Sequence, residues 1–388
     1  MRKGRIAAAT AADTLTVQST VRSSFGTRFA RAVLAGLVTA ALGLSTTPVT
    51  ASANAPFGFI GVSAEEVFWD TDAYQEQMLS QMQANGITEL RQIVRWSNIE
   101  QVRGQPQWGL YDRIALAAAR HNIRLLPIVG GQVPWATSRP PGDERRCLFP
   151  PRNNADLADH PRQVVARYGP NGALWQAHPE LASFALTRWQ IWNEPNTDTF
   201  WACKQNAKAY TELARVAANA IHSIDADASI ITAGAPNKHG GDYLRTMMKN
   251  GARKIFDEVA LHPYKKNADA VVAEVKKARE LLNDLDAKRW KIRISEFGWA
   301  TSGPPHKTHT VDEAKQGRLV KNTLTKLGAQ RDKLKLTGVA YYAWRDAPPP
   351  TDVGGGSDYW GLHTGLLRID QTPKPTLNAV LEASRAIK

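Results

Sequence analysis

The chain has 388 residues, 43% hydrophobic and 22% charged, which is ample core for one domain of barrel size or two smaller ones. Its formal charge is +13, but residues 1–55 hold six Lys or Arg against one acid, leaving 43 basic and 35 acidic residues, +8, on the remainder. Those cations are scattered with no basic stripe interleaved with aromatics, which argues against nucleic acid as a partner and leaves a mild basic surface suited to anionic wall polymers.

Residues 1–55 read as a secretory leader. Arg28 and Arg31 precede an apolar run from Ala32 to Leu44, and small residues follow to Ala51-Ser52-Ala53-Asn54-Ala55, with cleavage expected near Ala53. The run is short for a bilayer span, so no stable membrane insertion is expected once the leader is removed. Residues 56–388 are then expected to form one exported, monomeric domain. Two cysteines, Cys147 and Cys203, form an even pair in such a protein and are candidates for a disulfide.

Beyond the leader, strand-like and helix-like segments alternate. Strands are expected at Phe57–Val62, Glu89–Val94, Ile123–Val129, Thr187–Trp192, Ser229–Ala235, Glu258–Leu261, Lys291–Ser295 and Leu336–Trp344. Helices are expected near Ala73–Ala84, Tyr111–His121, Asp156–Tyr168, Ala207–Ile224, Asp242–Asn250, Ala268–Leu285 and Val311–Leu327, with a last one after Pro375. A long Pro/Gly/Trp-rich loop, residues 130–154, follows the third strand and is too long to be a mere connector. Eight such units predict a single α/β domain of the (β/α)8 or TIM-barrel class. A doubly wound sheet is the alternative, but no G-x-G-x-x-G opens a helix.

In a barrel the C-terminal strand ends converge, and chemistry is done there. The fourth strand ends in Trp192-Asn193-Glu194-Pro195 and the seventh in Ser295-Glu296-Phe297-Gly298-Trp299. The second offers Arg91, the sixth His262 and Tyr264, and the eighth Tyr341, Tyr342, Trp344 and Asp346. Two carboxylates across one barrel mouth suit glycoside hydrolysis, one protonating the leaving oxygen and the other attacking the anomeric carbon or activating water. Arg91 and Tyr264 would keep Glu296 ionised, whereas an indole surround and repulsion from Glu296 would raise Glu194. Asn193 would bind the sugar 2-hydroxyl.

These motifs resemble those of the clan A glycoside hydrolases. "WNEP" and "SEFGW" carry the likeness, supported by "LRQIVRWSNIEQVRG", "LHPY" and "YYAWRD" followed by "GLLRIDQTPKPTLNAV". The layout is most similar to family 39, with family 5 features, among cellulase-like or xylosidase-like bacterial enzymes. The resemblance implies a retaining glycosidase with Glu194 as acid/base and Glu296 as nucleophile. It implies that Arg91, His262 and Tyr264 support the carboxylates and that Trp344 floors the subsite of the attacked sugar. The substrate would be a β-linked oligo- or polysaccharide.

Trp69, Trp135, Trp201, Trp299 and Trp360 fall in strand-to-helix loops and are candidate sugar platforms, whereas Trp108, Trp175, Trp189 and Trp290 suit packing. Asp346 and Asp358 fit either a sugar hydroxyl or a loop cap. Glu65, Glu66 and Glu100 read as solvated or structural. No metal and no cofactor are expected, since H-E-x-x-H, C-x-x-C and Gly-rich phosphate loops are missing from the sequence. Two alternatives stay open: a transglycosylase using the same glutamates, and a non-catalytic glycan-binding barrel.

Overall fold

The computed structural model describes residues 55–68, 71–236, 240–306, 309–349 and 358–387. The expected leader, Ala55 aside, and Trp69 lie outside the described residues. No helix among the described residues is long and apolar enough to cross a membrane.

Nine strands form one all-parallel sheet: β1 Ile60–Ser63, β2 Glu89–Arg95, β3 Arg124–Gly130, β4 Arg188–Ile191, β5 Ser229–Ile231, β6 Ala235–Pro236, β7 Glu258–His262, β8 Lys291–Ile294 and β9 Leu336–Tyr342. The sheet closes on itself. β1 pairs with both β2 and β9, and β7 with β5, β6 and β8, so the staves form a continuous ring among the described residues. β5 and β6 are two pieces of one stave, which makes the structure an eight-stave (β/α)8 barrel. Long helices alternate with the staves: α1 Asp72–Ala84, α2 Gly109–Arg120, α3 Asn154–Tyr168, α4 Ala207–His222, α5 Gly240–Lys249, α6 Ala268–Asp284, α7 Glu313–Gly328 and α8 Pro375–Ala386.

The helices begin where the sequence offers a side-chain acceptor for orphan amides. Thr71, Asn206, Asn267 and Asp312 each accept from the amide three residues on, and Asn153 from the amide two on. Their apolar faces pack on the outer face of the sheet in one continuous core, in which Trp189, Trp290, Phe256 and Tyr210 are fully enclosed.

Two expected elements differ. Phe57 does not start the first strand but lies in a turn, 41% exposed, under the guanidinium of Arg124. The fifth strand is interrupted at residues 232–234 instead of running from Ser229 to Ala235. There the carbonyl of Gly234 turns to accept the amide of Glu194 at 3.1 Å, which removes it from the ladder. A Cβ on Gly234 would sit 1.9 Å from Nε2 of His262, so only glycine lets that imidazole occupy the barrel mouth. The disulfide expected between Cys147 and Cys203 is present. It joins the loop after β3 to the loop after β4.

Candidate active site

The C-terminal strand ends bring Arg91, Asn193, Glu194, His262, Tyr264 and Glu296 together. Alternation along β7 places Glu258, Ala260 and His262 inside the barrel and Val259 and Leu261 outside. His262 is fully buried. Its Nδ1 lies 2.5 Å from Oε1 of Glu194 and 3.4 Å from Oε2 of Glu296. Its Nε2 lies 3.0 Å from the hydroxyl of Ser295, which fixes the ring plane from behind. The two glutamate side chains keep 15% and 11% of their surface exposed, so both carboxylates reach the mouth.

Arg91 knits the floor. Its Nη1 donates to Oε1 of Glu296 at 2.7 Å, Nη2 to Oδ1 of Asn193 at 2.7 Å, and Nε to Oε1 of Gln190 at 3.1 Å. Nη1 also meets the hydroxyl of Ser63 at 3.4 Å. The hydroxyl of Tyr264 donates to Oε2 of Glu296 at 2.8 Å. Both oxygens of Glu296 are thus held by donors. Burial pushes its pKa up, but charge on His262 and Arg91 and the hydrogen bonds from Tyr264 and Arg91 outweigh burial and hold it below the ordinary carboxylate range. Burial and the adjacent Glu296 push the Tyr264 phenol well up, so it remains a proton donor.

Backbone strain delivers Glu194. Trp192 and Glu194 have φ of 68° and 41°, a region that costs a non-glycine residue about 1–3 kcal/mol. The surroundings fix it: the indole of Trp192 donates to the carbonyl of Phe200 at 2.8 Å, and the amide of Glu194 to Gly234. Gly130, φ 129°, admits the Trp192 ring, which lies 3.0 Å from where a Cβ would stand.

Several aromatic expectations are corrected. Trp299 is fully buried, edge-on to Phe297, with its N–H on the carbonyl of Lys265 at 2.8 Å. It therefore holds a loop and offers no face to a sugar. Trp201 is likewise enclosed against Trp192 and Tyr210. Trp344 is completely buried and floors no open subsite. The half-exposed aromatic at the end of β9 is Tyr342, whose pKa is pushed well up by burial and by the nearby Tyr359 and Glu296. Trp135 is half-buried, edge-on to Trp96, with the Arg103 guanidinium 5.2 Å from its ring centre. Trp360 is half-exposed and stands beside Tyr264 and His309, with ring centres 4.8 and 4.9 Å away.

The acids sort themselves. Asp346 is a loop clamp, bonded to the buried ammonium of Lys374 and the amide of Gly365. Asp358 pairs with His363 at 2.6 Å. Glu100 is buried and accepts from the Trp96 indole and the Gly104 amide, and Glu65 pairs with Arg95 at 3.4 Å. Sequence reasoning passed over Gln190, Ser295 and Ser63. The available signal was a polar residue at an inward position near a strand end.

Donor atoms of Glu194, His262 and Glu296 lie within 4.8 Å of one another, close enough in principle to ligate a cation. The Arg91 guanidinium, 2.7 Å from Glu296, already neutralises that carboxylate and would repel a second cation.

A scan against protein-family models finds no match, and neither does a search of curated proteins. Solved structures do match. A family 39 glycoside hydrolase from Bacteroides cellulosilyticus superposes with a TM-score of 0.64 at 20% identity, over 87% of this chain and 65% of that one. A β-xylosidase from Caulobacter crescentus gives 0.62 at 18% identity, over 84% and 67%. A family 5 mannosidase from Rhizomucor miehei gives 0.54 at 14% identity, over 86% and 94%. The chain thus spans about two thirds of the length of the first two. At these identities the likeness establishes a shared barrel fold.

Proposed function

We propose that the chain is a retaining glycoside hydrolase that cleaves β-linked glycosides, with Glu194 as acid/base and Glu296 as nucleophile. The observation that carries this is the spacing of the two carboxylates. Their nearest oxygens lie within 4.8 Å, bridged by one imidazole. Retaining enzymes hold the two carboxyl groups about 5–5.5 Å apart and inverting ones about 6.5–9.5 Å with a water between; two oxygens that share one imidazole nitrogen fit the closer arrangement.

In the first step an oxygen of Glu296 bonds to the anomeric carbon while Glu194 gives its proton to the departing glycosidic oxygen. In the second, Glu194 takes a proton from water, whose oxygen attacks the same carbon and frees Glu296. Arg91 and Tyr264 keep Glu296 anionic for the attack, and Arg91 aligns Asn193 for the 2-hydroxyl of the sugar. The solved structures that share the fold include a β-xylosidase and mannosidases, so β-xylosides and β-mannosides head the substrate panel.

The test is covalent trapping. A panel of 2-deoxy-2-fluoro glycosides with good leaving groups should inactivate the enzyme, and peptide mass mapping should place the sugar on Glu296. Slow inactivation with the label on another residue would overturn the assignment. Turnover with inverted stereochemistry, read by NMR of the first product, would overturn the retaining mechanism.

A further inference from the structure

The cations that look scattered in the sequence are gathered by the fold. Three consecutive connections at the N-terminal end of the barrel, residues 251–257, 284–291 and 330–335, lead into β7, β8 and β9, which are neighbours in the sheet. Together they carry eight Lys or Arg against four Asp. Half of the +8 on residues 56–388 therefore sits on one arc, on the face opposite the carboxylate pair.

The arc is tied together by its own cations. Arg253 donates to the carbonyl of Leu285 at 2.7 Å, Arg289 to the carbonyl of Arg253 at 2.5 Å, and Lys335 to the carbonyl of Lys288 at 2.8 Å. These bonds fix the loops without neutralising charge. The carboxylate partners that are present go to arginines, Asp257 to Arg289 at 3.2 Å and Asp332 to Arg331 at 3.1 Å. Lys254, Lys288, Lys291 and Lys333 are exposed, and none forms a salt bridge with a carboxylate among the described residues. A depression of about 460 Å³ opens beside them, lined by Lys254, Arg289, Lys291, His222, Asp227 and Asp257.

We infer that this arc is a docking surface for a flexible, single-chain polyanion that bears phosphate and is not a nucleic acid, which holds the protein with its carboxylate pair facing away from the polymer. Several like charges fixed on one rim concentrate a polyanion in a way that single surface lysines do not. The free charges are lysine ammoniums, compact point charges that suit phosphate oxygens in any orientation. The bidentate fork of arginine suits carboxylate and phosphate alike, and the arginines here are already engaged, which leaves ammonium point charges to meet the polymer. The inference does not depend on the glycosidase reading.

Binding of the full chain to immobilised long-chain inorganic polyphosphate is the measurement, with polygalacturonate and duplex DNA at equal charge as the other arms. The wild type should prefer polyphosphate, with affinity falling steeply as salt rises. The triple variant Lys254→Glu/Lys291→Glu/Lys333→Glu should lose about tenfold or more of that affinity with an unchanged melting temperature. A matched variant on the outer helices, Lys208→Glu/Lys276→Glu/Lys277→Glu, has the same net charge and should bind as the wild type does. Equal losses in both variants would reduce the effect to overall charge and overturn the proposal. Tighter binding of polygalacturonate or DNA than of polyphosphate would overturn it as well.

Discussion

Arg91 shows how much of the candidate site rests on single residues. One guanidinium serves Glu296, Asn193, Gln190 and Ser63, so it fixes geometry and charge together. Glu296 has a depressed pKa, so it is protonated only when the pH falls through that lowered value, and activity that needs its carboxylate is lost there. Replacing Arg91 by Met removes one of the two charges that depress it. The acid limb of the kcat/KM profile should therefore move to higher pH, while Tyr264→Phe, which removes a hydrogen bond but no charge, should move it less. An acid limb that stays in place in Arg91→Met would show that Arg91 does not hold Glu296 ionised. Glu194→Gln should lower kcat by about 10²- to 10⁴-fold on substrates with poor leaving groups and much less on activated aryl glycosides, the signature of a lost general acid. Glu194 and Glu296 were legible in the sequence because an acid at a strand end inside a distinctive motif needs no knowledge of side-chain direction. Gln190 and Ser295 were not, because their meaning depends on which face of the strand they occupy. The tryptophans failed for a related reason. An aromatic in a loop signals a platform only if its face is left open, and the positive φ values at Trp192 and Glu194 break the alternation from which that could be counted.

At the scale of elements, position and order were readable because the hydrophobic period switches cleanly between strands and helices, while the break between β5 and β6 was not. That break answers to Glu194 and His262, which are distant in sequence, and local propensity does not register them. The long loop after β3 owes its shape to two long-range devices. The Cys147–Cys203 bridge spans 56 residues, and Arg139 donates to the carbonyls of Asp143, Arg145 and Cys147 at once. Closing a loop of that length restricts the unfolded chain by about 4 kcal/mol in the chain-entropy picture. The double variant Cys147→Ser/Cys203→Ser should lose up to that amount in denaturant titrations, and no loss would mean that the loop is held by other contacts alone. Helix α3 carries a second test. His160 is buried against Trp96, with ring centres 5.9 Å apart, and its Nε2 lies 3.2 Å from the carbonyl of Val94. Burial lowers its pKa from 6.5 to about 4, against the weaker pull of that hydrogen bond. Between those values the unfolded chain binds the proton and the folded chain does not. Stability is therefore full above pH 6.5 and falls toward pH 4, by roughly 3 kcal/mol at most from this residue. His160→Gln should flatten the stability curve in that window, measured by urea unfolding at several pH values.

At the scale of the whole molecule, the two ends of the barrel are both charged and are built differently. The C-terminal end leaves its carboxylates partly open. The N-terminal end closes on itself through Arg293, which has no exposed surface. Its Nη1 meets Glu89 of β2 at 2.5 Å and its Nε meets Glu258 of β7 at 3.3 Å. The hydroxyl of Thr337 on β9 donates to Glu258 at 2.5 Å, and Arg188 of β4 approaches the same carboxylate at 3.6 Å. One cation thus spans the barrel between staves far apart in sequence. The sequence showed Arg293 only as a basic residue alternating with isoleucines, because its partners lie 204 and 35 residues away. Burying charges costs more than pairing them usually returns, so this plug is better suited to fixing which staves meet than to adding stability. The two roles separate by mutation. Arg293→Met alone strands the buried carboxylate of Glu89 and leaves Glu258 only Thr337 and the more distant Arg188, and should cost about 3–5 kcal/mol. The apolar triple variant Glu89→Leu/Arg293→Met/Glu258→Leu should recover most of that loss, since it leaves no unpaired charge at full burial and Arg188 keeps part of its surface in water. Urea unfolding of both variants gives the comparison. A triple variant no more stable than Arg293→Met would mean that the network contributes net stability in its own right. One that is as stable as the wild type but unfolds over a broad, non-cooperative transition would show that the charges were setting the register of the barrel.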